Sequence, residues 1–118
     1  MVKLLGWAVF FDGISSVAEP VVVELIRQTS AGTMTSFTPE KVDPARAETI
    51  QTVCQHTATV EPTGTTSVPV RIEVPPQSGY EKLFPFGQEI IIPGAGRLGL
   101  RCTAPAGVNV IGHFRCEE

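Results

Sequence analysis

The chain has 118 residues, 42% of them hydrophobic and 18% charged, with a net charge of -3 at neutral pH. That length supports a single ordered domain over residues 1–118, and the balance excludes a disordered polar chain. No Lys/Arg cluster marks a nucleic-acid surface, and no apolar run reaches the ~18 residues of a membrane-spanning helix.

Eleven glycines and ten prolines favour short strands and many turns over long helices. Residues 4–11, "LLGWAVFF", form the first expected strand, and Asp12-Gly13 is its turn signal. Leu5, Trp7, Val9 and Phe11 fall on one parity and Leu4, Ala8 and Phe10 on the other, so both faces are apolar. Such a strand is covered on both sides, by a second layer or by a neighbouring subunit. The same stretch, ending in Ser16-Val17-Ala18, also has the outline of a secretory signal cleaved after Ala18.

"PVVVELIR", residues 20–27, is the second strand. Residues 28–38 are small, polar and interrupted by Gly32, which predicts a long exposed loop. "VDPARAETI" is the single helix signal: Asp43 suits a cap and Pro44 the first helical position, for one or two turns at most. Residues 52–60 are Thr-rich and strand-prone, and residues 62–67 form an outward loop. Val68, Val70, Ile72 and Val74 alternate with Arg71 and Glu73, a half-buried strand that Pro69 assigns to an edge. Residues 88–92, 98–103 and 108–116 are three further strands, separated by "PGAG" and "APAG" turns. About seven to eight short strands at roughly 8–12-residue spacing predict an all-β fold, an antiparallel β-sandwich of jelly-roll or Ig-like type with at most one short helix.

"IIIPGAGRLGLRC" places Gly94, Gly96 and Gly99 at the spacing of a dinucleotide-binding loop. That chemistry needs a helix opening at the last glycine, whose N–H groups hold a pyrophosphate. Pro105 and Gly107 follow too soon for one, so the glycines are expected in a turn and a strand crossing. Cys54, His56, His113 and Cys116 would make a Cys2His2 metal set, but His113 and Cys116 are three apart and face opposite ways on a regular strand. If residues 98–103 and 108–116 form a hairpin turning near Ala106, Cys102 faces residue 110 and cannot bridge Cys116. The three cysteines are expected as reduced thiols. No G-x-S-x-G elbow occurs and the acids are scattered. The expectation is therefore a non-enzyme with no catalytic, cofactor or metal site.

The aromatics point elsewhere. Phe10 and Phe11 lie on opposite faces of one strand, and Phe84 and Phe86 share a face. Trp7, Phe10, Phe11, Phe84 and Phe86 are the candidate subunit contacts, the alternative being that two sheets bury them.

The segments "TPEKVDPARAE", "HTATVEPTGTTS" and above all "PFGQEIIIPGAGRLGLRCTAPAGVNVIGHFRCEE" resemble the accessory proteins of tailed-phage heads, of the decoration (cement) type. The resemblance rests on Pro93, Gly94, Gly96, Leu98, Leu100, Arg101, Ala104, Pro105, Val110, Gly112 and the Glu117-Glu118 ending, with a turn at residues 39–44. It implies a β-sandwich virion protein that docks on copies of itself and on a major capsid protein, made in the host cytoplasm, with no nucleic-acid or membrane partner. Proteins of this look carry further strands ahead of "KLLGWAVFFDG". The first strand is therefore expected to lack a neighbour on one edge and to pair with another subunit. The competing expectation is a secreted β-sandwich that binds carbohydrate or another surface, with residues 1–18 as its signal peptide.

Overall fold

Each apolar run becomes a strand, and no helix occurs among the described residues, 1–12 and 19–118 of the computed structural model. The turn expected at Gly13 and the cleavage motif at residues 16–18 lie outside the described residues. In chain order the strands are β1 (Val2–Phe11), β2 (Val21–Gln28), β3 (Thr33–Phe37), β4 (Cys54–Val60), β5 (Ser67–Val74), β6 (Gly79–Leu83), β7 (Ile90–Ile92), β8 (Arg97–Thr103) and β9 (Val110–Glu117). All pairings are antiparallel.

Two sheets form the body. In the first, β1 is central: β9 runs along one edge, while β7 and β6 share the other, β7 against Val2 to Leu4 and β6 against Gly6 to Phe10. In the second, β2 lies between β5 and β8. Leu4, Trp7, Val9 and Phe11 of β1 pack with Val21, Val23 and Leu25 of β2 and with Val74 as one buried cluster. The result is the sandwich-like all-β arrangement that the strand spacing predicts.

β1 departs from the expected strand in two respects. Both its edges are filled within the chain, so the unpaired edge inferred from the resemblance is not there. Its parity also breaks: the register with β9 slips between Leu4 and Gly6, a bulge at Leu5. The extra residue turns Leu4 to the same face as Trp7, Val9 and Phe11. Period-two reading cannot see a bulge, and therefore placed Leu5 and Leu4 on the wrong faces.

The loop expected over residues 28–38 contains β3, which pairs with β4. This pair extends the β2–β5 pair into one long arm. Thr29 and Ser30 N–H groups donate to the Thr63 carbonyl at 3.3 and 3.2 Å, and Thr66 N–H donates to the Arg27 carbonyl at 2.9 Å. Gly32 and Gly64 stand at the junction with φ of 61° and 74°, where a side chain is strained. A Cβ on Gly32 would also run into the Val60 carbonyl, and one on Gly64 into the Thr29 hydroxyl. The paired glycines thus mark where the β2–β5 ladder gives way to the separate β3–β4 ladder. Within it β4 has seven residues against five in β3, and two bulges absorb the difference, one at Thr59 and one at Thr57, which takes φ 52°.

The helix expected after Asp43 is a single turn instead. The Asp43 carboxylate accepts the Ala45 N–H at 3.0 Å, and the Asp43 carbonyl accepts the Arg46 N–H at 3.3 Å. All of residues 40–49 are exposed, so no buried face carries the turn onward into a helix. β8 and β9 are not a hairpin either: β8 pairs with β2 and β9 with β1, so residues 104–109 cross between sheets.

Trp7 anchors the core at 1% exposure, 5.3 Å from the Tyr80 ring, yet its indole N–H has no hydrogen-bond partner among the described residues. A buried unpaired donor costs about 1–3 kcal/mol. Trp7→Ala is therefore expected to lower unfolding stability by about 3–5 kcal/mol. Trp7→Phe should lose markedly less, because it removes the orphan donor along with part of the ring. Urea denaturation followed by far-UV circular dichroism measures both; an equal loss in the two variants would refute the account of the N–H.

Candidate association surface

The five aromatics expected as contacts divide by the pleat. Trp7 and Phe11 point between the sheets and are core residues, so as subunit contacts they are corrected: the second sheet covers them. Phe84 is half-buried at the core margin, and its N–H donates to the Leu5 carbonyl at 2.9 Å. Phe10 and Phe86 are left on the surface, 44% and 100% exposed.

Phe10 is on the outer face of the first sheet. Its cross-strand partner Ile111 on β9 shares that face and is 75% exposed, and Leu83, opposite Gly6 on β6, is 58% exposed. Glu81, His113 and Arg115 are interleaved with them on the same face. Ile111 and Leu83 were not singled out in the sequence, though a signal was there: each shares strand parity with charged or polar residues, Ile111 with His113 and Arg115, Leu83 with Glu81.

Phe86 is offered by a turn. The Gln88 N–H donates to the Pro85 carbonyl at 2.9 Å, and Gly87 takes φ 87° in the position that needs it. The backbone N–H groups at Glu89 and Gly87, with Lys3 nearby, hold the Glu89 carboxyl below the usual range.

β9 is exposed along its whole length, and among the described residues its outer edge pairs with no strand. Its C-terminal end is different. The Glu118 carboxylate accepts the Gln51 and Thr52 N–H groups at 3.0 and 2.7 Å, together with the Thr52 hydroxyl. These bonds fix the far end of the arm against the first sheet and lower the Glu118 pKa, the Thr52 hydroxyl contributing most. Beside them an open hollow of 330 Å³ is lined by Phe37, Pro39, Ile50 and Val53.

The glycine motif meets the structure as follows. β7 leads into it, but β8 follows as a strand, so no helix N-terminus faces the loop. The Gly96 N–H donates to the Pro93 carbonyl at 2.9 Å in a turn where Ala95, not a glycine, takes φ 62°. Cys54, Cys102 and Cys116 are free thiols, all pushed up by burial. Among the described residues no group of three or more His, Cys, Asp or Glu side chains is placed to hold a metal. No helix there is long and apolar enough to cross a membrane.

No protein-family model, curated protein or solved structure matches the chain.

The Glu118 clamp has a testable sign. A carboxylate whose folded pKa is depressed contributes above its unfolded value, and the contribution is lost as pH falls through the folded one. The Gln51 and Thr52 amides are expected to be protected from hydrogen exchange at neutral pH and to lose protection below the ordinary carboxylate range. In Glu118→Ala they should be unprotected at every pH, which amide exchange by NMR reads directly.

Proposed function

We propose that this chain is a non-enzymatic structural protein of a tailed-phage virion, which decorates or cements the capsid by associating with copies of itself and with the major capsid protein. The observation that carries this reading is the outward set of large apolar side chains: Phe10, Leu83 and Ile111 on one sheet face, and Phe86 uncovered on a stiff turn. Aromatic and aliphatic anchors set among charged residues are the composition of a protein-protein contact. The resemblance of the last third of the chain to decoration proteins supplies the identity of the partner, and the mechanism is burial. Stable contacts of this kind cover about 1,600 Å² in total, and much of the apolar gain offsets lost freedom. Symmetric repetition over a shell then adds stability through multivalency.

The secretory alternative removes residues 1–18 and with them β1, which supplies Leu4, Trp7, Val9 and Phe11 to the core. Val21, Val23 and Leu25 would lose the layer that covers them. The virion reading needs β1 in place.

Sedimentation velocity across a concentration series tests the reading. Self-association is expected, and a single monomeric species throughout would overturn it. Phe86→Ser and Ile111→Ser should each weaken association at least tenfold, about 1.4 kcal/mol. The unfolding midpoint of Phe86→Ser should stay unchanged, because that side chain is fully exposed, and that of Ile111→Ser should fall only slightly, through its pairing with Phe10. The intact mass of the native protein provides a second check: a chain starting at Glu19 would favour the secreted module.

A further inference from the structure

The Glu118 bonds place the end of β9 against residues 51–52. Cys116 lies two residues before Glu118, and Cys54 two residues after Thr52. The Cys116 thiol is raised above its ordinary range by burial first, then by the neighbouring charges of Cys54 and Glu118. Both cysteines therefore lie within two residues of the contact between Glu118 and Thr52. Cys102 lies on β8 in the other sheet, opposite Val23 and packed against the core.

We propose that Cys54 and Cys116 are a reversible disulfide site, which on oxidation staples the β3–β4 arm to the edge of the first sheet. The oxidant is a small-molecule disulfide such as oxidised glutathione. One cysteine thiolate attacks it, the glutathione S–S bond breaks, and a protein-glutathione disulfide forms as the first glutathione thiolate leaves. The other cysteine thiolate then attacks the protein-bound sulfur and expels the second glutathione. Two protein thiols are oxidised, one glutathione disulfide is reduced to two thiols, and the two protons pass from protein to glutathione.

Bridge formation needs adjacent Cβ atoms. β3 and β4 pair only with each other among the described strands, and Gly32 and Gly64 flank the pair, so few ties to the body oppose a local adjustment at its far end. Both thiols sit above their ordinary pKa, so the thiolate fraction, and with it the oxidation rate, rises with pH.

The native full chain, incubated with oxidised glutathione, alkylated and digested with trypsin, provides the test. The expected product is peptide 47–71 joined to peptide 116–118, lighter by two hydrogen atoms than their sum, with Cys102 alkylated in peptide 102–115. The free-thiol titre should fall from three to one and recover fully with dithiothreitol. Amide exchange in β4 should slow on oxidation. Cys102→Ser should keep the bridge, and Cys54→Ser should retain a glutathione adduct on Cys116. Adducts persisting on both Cys54 and Cys116 of the native chain would overturn the proposal. So would a bridge to Cys102, or a disulfide found solely between two chains.

Discussion

The packing of β1 on β2 is the interaction on which the molecule depends. Leu4, Trp7, Val9 and Phe11 meet Val21, Val23 and Leu25 between two sheets in which β1 and β2 are the central strands. Each fully buried side chain of this size contributes about 1.5–3 kcal/mol relative to exposure. A domain retains a net stability of only about 5–15 kcal/mol, so the contact cannot be thinned without losing the fold. Every other strand of the body is laid against one of these two, and their edges set the register of the rest. The bulge at Leu5 serves the same contact, because without it Leu4 would face outward. The polar exception on β2 is also settled locally. Buried Glu24 accepts bonds from Arg101 Nε and Nη2 at 3.3 and 3.2 Å, with Arg71 opposite it on the other neighbouring strand. An acidic side chain in a nearly closed position is tolerable only with such partners.

Away from that contact the physics changes. The arm built from β3 and β4 contributes no side chain to the core cluster and is largely exposed. Its order comes from the ladder between the two strands, the junction at Gly32 and Gly64, and the carboxylate of Glu118 at its far end. Regions with few buried apolar contacts open at low free energy, and exposed charged contacts are worth little each. The docking of the arm consequently depends on the charge of Glu118, and a covalent tie at Cys54 and Cys116 would restrain it.

How much of this was legible in the sequence follows from what each element buries. β5 and β8 lie with one face on the core, and alternation located them to within a residue or two. β3 was hidden because "TMTSF" holds one methionine and one phenylalanine among small polar residues; its strand state comes from pairing with β4, not from an apolar period. "DPARAE" has the local chemistry of a helix start, but no neighbour covers a helical face there, so capping yields one turn. The "APAG" segment reads like a hairpin because turn residues look alike whether the chain doubles back in one sheet or crosses to another. Of the exposed apolar set, Phe10 and Phe86 were identifiable as surplus aromatics. Trp7 and Phe11 were not separable from them, because the division depends on which face the second sheet occupies. Cys54 and Cys116 were grouped in the sequence only as part of a metal set with His56 and His113, and what links their segments, the Glu118 bonds to residues 51 and 52, has no sequence signature.

β9, whose outer edge pairs with no strand among the described residues, is also the strand that holds the arm, and this couples the two. A partner adding a strand along β9 finds open backbone from Val110 onward, but at the far end it meets Glu118 already bonded to Gln51 and Thr52. Strand addition would therefore run over the first part of β9 and stop short of Cys116, or else displace the arm to go further. In the second case binding at the edge and docking of the arm oppose each other, and by linkage whatever fixes the arm weakens the longer contact by the same factor. The apolar set of Phe10, Leu83 and Ile111 is on the sheet face, clear of that competition. A contact that uses the face can form with the arm docked, which is why the face, rather than the edge, is the surface best suited to a stable and repeated association.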